Sequence, residues 1–430
     1  VPPWTPVERF AFRVASLYLG LFCLAYLLYW IPGMAWLDNA LIASWDWLVP
    51  RVGAHVLGIT EPIPTQGNGS GDRLFDYVWA FTRLAIAVVG AGVWSAVDGR
   101  RREYARAHEA LRVLVRYTLA SVMLGYGFAK VFKTQFADPS PVTLLEPYGE
   151  ASPMGLMWTF MGYSLPYNVF TGGLEVLGGV LLLWRRTTTL GALLAAAVMA
   201  HVAVLNFSYD VPLKLNSTHL VALAVLLLLP DARRLADFFL FNRATAPAPV
   251  RPPLPSPWLE RARLGVKALF VLWLVGSSGW QDFRNRSTFG DGAPKHPLHG
   301  AYVVEGLQRA GRDVPLLATD AALWQRVALR GFRMEPGAPW QLRLTAFRMD
   351  GTLHRLAGEE EAATHTLALT DRDSGAASQL TWAEEGPERL VLEGTLEGQP
   401  VRLRLRKRAP ESFPLLSRGF RWVSPAPYNR

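Results

Sequence analysis

Lys130, Glu175 and His201 are the residues whose types and settings most favour chemistry. They offer an ammonium or base, a carboxyl group and an imidazole, each inside or at the end of a long apolar run. Ionisable groups are costly in such surroundings and usually face one another or a polar cavity, which makes these three the candidate catalytic groups. Arg83, Arg116, Lys133, Asn206, Asp210, Lys214 and His219 are the candidate pocket residues around them. Arg83 and Glu175 lie near the middle of their runs at matched depth, which predicts an ion pair between two helices. Lys130, Lys133, His201, Asn206, Asp210, Lys214 and His219 all fall towards one side of the apolar layer, which predicts a single polar pocket opening to that side. The structural alternatives are plain. Lys130 can extend its ammonium to the interface, and a histidine in a span can hydrogen-bond a neighbouring helix. The spacing contains no metal motif, and His296-x-x-His299 reads as an isolated surface pair. There is no nucleophile elbow, P-loop or dinucleotide fingerprint.

The elements that must position these groups are membrane helices. Of 430 residues, 50% are hydrophobic and only 18% charged, and the charge is concentrated after residue 280. A helix needs about 20 mainly apolar residues to cross the hydrocarbon core. Segments at 10–31, 74–97, 114–132, 166–184, 188–207, 218–240 and 261–280 qualify or nearly do. The first is too long for a signal-peptide core and reads as a retained span. The arginines cluster in alternate connections: Arg9 and Arg13, then Arg100 to Arg116, then Arg185 and Arg186, then Arg233 to Arg263. Basic connections stay in the cytoplasm, so the N-terminus is expected inside and the residues after 280 outside. The net charge of +9 sits largely in these flanking loops and gives no reason to expect nucleic acid as a partner. Arg greatly outnumbers Lys and Ala is abundant, which points to a GC-rich bacterium and hence to its inner membrane. Cys23 is the sole cysteine, so an internal disulfide or a thiolate metal cage is excluded.

Between spans, residues 33–73 carry tryptophans at helical spacing and predict a helix on the outer face, "DARRLADFFLF" predicts an interfacial helix, and 244–257 is a Pro-rich spacer. Glycines 172, 173, 178 and 179 predict close helix packing. Residues 1–280 thus form the membrane domain. From 281 to 430 the period changes to two. "WQLRLTAFRMDGTLHRL" is a hairpin around Asp350-Gly351, and Leu390, Leu392, Leu396, Val401, Leu403 and Leu405 share one face. Thr319–Leu329 reads as a short helix capped by Thr319 or Asp320. The fold class is therefore a polytopic α-helical membrane bundle of about seven spans. It carries a C-terminal extracytoplasmic antiparallel β domain, either a lipocalin-like barrel or a sandwich.

Two motifs support a family resemblance. "VRYTLASVMLGYGFAKVF" has an arginine, midway glycines and Lys130 at its outer end, and "TGGLEVLGGVLLLWRR" sets Glu175 among glycines. With the span ending "HVAVLNFSYD", residues 112–240 resemble the DoxX family of bacterial membrane proteins. The resemblance implies a quinone-facing redox role, carried over to Arg116, Lys130 and Glu175, with quinone as the candidate cofactor. The extra spans and the β domain depart from that family. "YGFAKVFKTQF" is similar to a lysine-bearing span end of vitamin K-dependent carboxylase-like proteins, which would make Lys130 or Lys133 a base acting on a reduced quinone. Three readings follow: quinone binding or redox chemistry at the outer leaflet, a non-enzymatic lipid- or partner-binding assembly protein that uses the β domain as its binding module, and a carboxylase-like enzyme. The expected partners are the bilayer, a quinone or lipid ligand, and a protein at the β domain.

Overall fold

In the computed structural model, residues 4–99, 101–245, 256–288, 290–333, 335 and 337–428 are described. The spacer expected at 244–257 lies largely outside them, as do Arg100 and Arg251. The helices are α1 (Pro6–Trp30), α2 (Ala35–His55), α3 (Leu74–Val97), α4 (Ala105–Val131), α5 (Pro141–Leu145), α6 (Pro153–Tyr163), α7 (Leu165–Leu183), α8 (Thr188–Ser208), α9 (Lys214–Leu228), α10 (Ala232–Phe239) and α11 (Pro257–Thr288). Nine strands follow: β1 (Gly300–Arg309), β2 (Arg312–Val314), β3 (Trp324–Phe332), β4 (Gln341–Arg348), β5 (Leu353–Glu361), β6 (Thr366–Asp371), β7 (Ala377–Glu384), β8 (Arg389–Leu396) and β9 (Gln399–Lys407). A last short helix is α12 (Pro414–Ser417). The chain divides into two compact units, one of residues 1–131 and 169–282, the other of 132–168 and 283–430.

The first unit is a helical membrane bundle. Among the described residues, six helical segments are long and apolar enough to cross a bilayer: Pro6–Leu28, Leu74–Val97, Leu165–Leu183, Arg185–Ser208, Lys214–Phe239 and Pro257–Thr288. The 27-residue α4, which contains the expected span 114–132, falls outside this group because Arg106, Arg112, Arg116 and Lys130 lie in it. It is enclosed by its neighbours instead. Every residue from Val115 to Leu124 except Tyr117 is buried, and a helix that does not face lipid needs less apolar surface. Its core joins Phe22 and Cys23 of α1, Leu182 and Leu183 of α7, Ala192 and Ala195 of α8, Leu223 of α9 and Leu274 of α11. Glycine lets α4 and α7 touch. A Cβ on Gly172 would meet the Gly127 carbonyl at 2.6 Å, and one on Gly179 would meet Leu124 at 3.0 Å, whereas Gly173 faces open space. The helix expected in 33–73 is α2, packed through Trp45 and Val49, and α10 buries none of its residues.

The second unit is a closed antiparallel barrel. Strands β1, β3, β4, β5, β6, β7, β8 and β9 pair in that order and β9 returns to β1, with β2 a short hairpin partner of β1. Closure removes the exposed edges that an open sheet would present. The interior is one packed cluster that includes Val327, Leu329, Leu344, Leu367, Leu380 and Leu392, each at most 2% exposed. Eight strands enclose just enough room for side chains to fill. These side chains pack against one another inside the barrel.

Two expectations are corrected in this unit. Thr319–Leu329 is not a helix: the Asp320 side chain accepts from Ala322 N at 3.1 Å in a local turn, and β3 begins at Trp324. Asp serves helix caps and such turns alike, and pairing with β1 and β4 decided the outcome. The barrel unit also begins before residue 281, because it recruits 132–168. Leu145 of α5 is buried with Ala301, Ala328, Phe347 and Phe413, and Arg326 donates to the Leu145 carbonyl at 2.8 Å.

Candidate functional site

The polar residues of the helical unit converge on α1, α3, α4, α7 and α9. Tyr18, Phe22 and Tyr26 are four apart on α1 and therefore lie on one face. Trp79 and Arg83 stand one turn apart on α3. Arg83 is 4% exposed, with its guanidinium carbon 4.3 Å from the centre of the Trp79 ring, 5.2 Å from Phe22 and 5.7 Å from Tyr18. Among the described residues no carboxylate lies within 4.0 Å of it, and its Nε has no hydrogen-bond partner. Aromatic faces attract a cation, but they do not neutralise it.

Beside this cage, His219 of α9 stacks on Phe22 with ring centres 4.8 Å apart. Its Nδ1 lies 2.7 Å from the Leu215 carbonyl and its Nε2 2.6 Å from the Tyr18 hydroxyl. A carbonyl can only accept, so Nδ1 carries a proton, and a neutral His219 accepts at Nε2 from Tyr18. Tyr26 donates to Asn216 Oδ1 at 2.6 Å, and Tyr126 of α4 faces the same amide.

The second feature is a buried ion pair. Lys130 Nζ donates to both Glu175 oxygens, at 3.0 and 2.8 Å, with side chains 8% and 2% exposed. The expected Arg83–Glu175 pair is thereby corrected. Gly127 sits on Gly172, and this contact sets the end of α4 level with the middle of α7, so Glu175 meets Lys130.

The single outward pocket is corrected as well, since the other candidates occupy separate places. Arg116 contacts Thr188 Oγ1 at 3.4 Å and the Tyr117 ring at 5.0 Å. Lys133 belongs to the barrel unit, where it donates to Asp138 and to the Gly162 carbonyl at 2.9 Å and pairs with Asp291 at 2.9 Å. Burial alone would lower its pKa, but the two carboxylates outweigh burial and raise it. Asn206 donates to the Leu213 carbonyl at 3.3 Å and closes the turn between α8 and α9. Asp210 pairs with Lys214 at 2.7 Å, while Asp72 accepts from the backbone N–H groups of Lys214 and Leu215 and caps α9. His201 is exposed on α8, away from the buried positions Ala192, Ala195, Met199 and Asn206. His296 is not a surface residue: it is 2% exposed, with Nε2 2.7 Å from Glu360 and Nδ1 accepting from Leu298 N.

No family model and no solved structure matches the chain. Over 141 residues it is 32% identical to YwoB of Bacillus subtilis strain 168, itself an uncharacterized protein, covering 88% of that protein and 33% of this chain. The chain belongs to the YwoB family. Membership carries no activity with it, so the chemistry must come from the site.

Sequence reasoning missed Tyr18, Phe22, Tyr26, Trp79, Tyr126 and Asn216. Three aromatic residues at intervals of four on α1 were a usable signal, as two of them bring hydroxyls into an apolar span. His354, Asp371 and Glu397 in the barrel were also missed. Their ligand atoms lie within 4.8 Å of one another, a set that a divalent ion could use. They come from β5, the end of β6 and the turn between β8 and β9, which no local spacing reveals. The His354–Asp371 distance of 2.7 Å is already that of an ion pair.

Proposed function

We propose that this is a DoxX-like protein of the bacterial inner membrane that binds a quinone beside Arg83 and serves quinone redox chemistry at the outer leaflet. One observation carries the reading. Arg83 is a buried cation in a membrane bundle, flanked by aromatic rings and a Tyr–His pair, with no carboxylate within 4.0 Å among the described residues. A quinone ring suits the aromatic walls. The negative charge that gathers on its oxygens upon reduction suits the guanidinium, because charge interactions strengthen where water is scarce. The Tyr18–His219 hydrogen bond provides a group able to take or give the proton that accompanies reduction.

Lys130 and Glu175, the residues on which the DoxX resemblance rests, have their charges matched to each other. That favours a scaffold role for the pair beside the binding site. It disfavours the carboxylase-like reading, in which a lysine must stand free as a base. Lys133, with three acceptors around its ammonium, is equally unsuited.

The topology is part of the proposal: N-terminus in the cytoplasm, the enclosed α4 crossing as a seventh span beside the six apolar segments, and barrel outside. Residues 132–168 and 283–430 fold as one unit and so share a side of the membrane. Among the described residues, four apolar segments lie between them, an even number, as a shared side requires.

Calorimetric titration of the full chain in detergent with a short-chain quinone tests the reading. Arg83→Gln is expected to weaken binding about tenfold or more, as loss of a charge-assisted contact of about 1.4 kcal/mol requires. Equal affinity in the folded variant would sink it.

A further inference from the structure

The barrel unit contains a strongly cationic cavity that the quinone reading does not use. It has a volume of about 290 Å³ and is walled by residues 137–140, Thr288, residues 290–295 and the ends of β3 and β4. Lys295, Arg330, Arg333 and Arg343 line it. Among the described residues, none of these four has a carboxylate within 4.0 Å. The two acids of the cavity, Asp138 and Asp291, are both held by Lys133. Arg330 and Arg343 are direct cross-strand partners, and like charges directly opposite destabilise a sheet. Arg333 is steadied against the Trp340 ring at 4.6 Å and Arg343 against Phe332 at 5.2 Å. His299 adds a buried Nδ1 with no hydrogen-bond partner. A repulsive cluster with its side chains held in place is arranged for an anion.

We propose that this cavity binds a phosphate group, either on a phospholipid headgroup or as free phosphate. Three guanidinium forks match the several oxygens and the charge of phosphate better than they match a single carboxylate. The position allows the lipid source. Thr288, which lines the cavity, is the last residue of α11, and Ala137 follows the end of α4 at Val131 by six residues, a reach of about 20 Å at most. The potential in the cavity leaves its mark on His299, whose pKa is pushed down to about 4 by burial and then by Lys295, Arg330 and Lys407.

The test measures thermal unfolding of the full chain. In detergent, sodium phosphate is compared with chloride at equal ionic strength. In nanodiscs of a phosphate-free glycolipid, added phosphatidylglycerol is compared with none. A phosphate site is expected to raise the wild-type midpoint by about 3 °C near saturation. In Arg330→Gln/Arg343→Gln that shift is expected to vanish, while the variant in chloride is at least as stable as wild type because the repulsion is gone. Protection by inorganic phosphate identifies free phosphate as sufficient, and protection by phosphatidylglycerol alone identifies the headgroup. A readout without substitution is the His299 resonance, whose pKa is expected to rise from about 4 when phosphate binds. If neither probe shifts the wild type, or the double variant shifts as much, or His299 is indifferent to a protecting probe, the proposal is wrong.

Discussion

Arg83 and Lys130 are two buried cations with different solutions. Lys130 has a carboxylate at 2.8 Å, and removing either member takes from the other, still buried, the opposite charge it faces. Glu175→Gln is expected to cost about 3 kcal/mol or more, Lys130→Met a similar amount, and the double change clearly less than their sum. Chemical unfolding of the four proteins in one detergent checks this, and additive losses would show the pair to be uncoupled. Arg83 rests on ring faces, so the sequence-based expectation that it would answer Glu175 failed at the level of a single contact. Depth along a span can be counted from the sequence, but the neighbour a side chain meets depends on helix phase and offset, which cannot. His299 gives a pH prediction at the same scale. Its folded pKa, about 4, lies below its ordinary value near 6.5 because burial and then nearby cations disfavour the imidazolium. The unfolded chain therefore takes up the proton first. The stability contributed by the neutral form is complete above about pH 6.5 and is lost as the pH falls towards 4. His299→Gln is expected to flatten the pH dependence of barrel unfolding across that window, by about 1 to 2 kcal/mol after allowance for partial exposure. An unchanged profile would remove His299 from the acid response.

The helical elements were largely legible, because apolar runs and glycine clusters state their own purpose. The α4–α7 seam shows both the reach and the limit of that reading. Gly172 and Gly173 look alike in sequence, yet a Cβ on Gly172 meets the Gly127 carbonyl at 2.6 Å and Lys130 Cβ at 2.7 Å, whereas one on Gly173 meets nothing within 4 Å. Gly172→Ala is expected to push the helices apart and cost about 1 to 3 kcal/mol. Gly173→Ala is expected to be neutral or stabilising by up to about 1 kcal/mol. Thermal unfolding of the two variants side by side checks this, and equal effects would contradict the seam. Strand alternation placed the barrel's later strands correctly, from the Asp350-Gly351 turn to the run of leucines on β8 and β9. The segment around Thr319 failed because an Asp that caps a helix and an Asp that closes a turn look the same until the partner strands are present.

At the scale of the whole molecule, the composition break near residue 280 marked a membrane part and a β part. It could not show that 132–168 joins the barrel, since those residues contact strands more than a hundred positions away. That membership sharpens the topology proposal. An alkaline phosphatase fusion at the C-terminus and a protease site inserted near Tyr148 should both report the outer side, and opposite sides for the two would show that the crossings between them are odd in number. The glycine-rich runs of α4 and α7 pointed to Lys130 and Glu175, which the fold joins, whereas the cage around Arg83 depends on the assembly of α1, α3 and α9. The central claim is that this cage holds a quinone ring. A density map of the full chain in nanodiscs supplied with quinone tests it most directly. The account predicts planar density against Trp79 and Phe22 with a ring oxygen within hydrogen-bonding distance of the Arg83 guanidinium. A map in which those side chains close on one another, with the quinone elsewhere or absent, would contradict it.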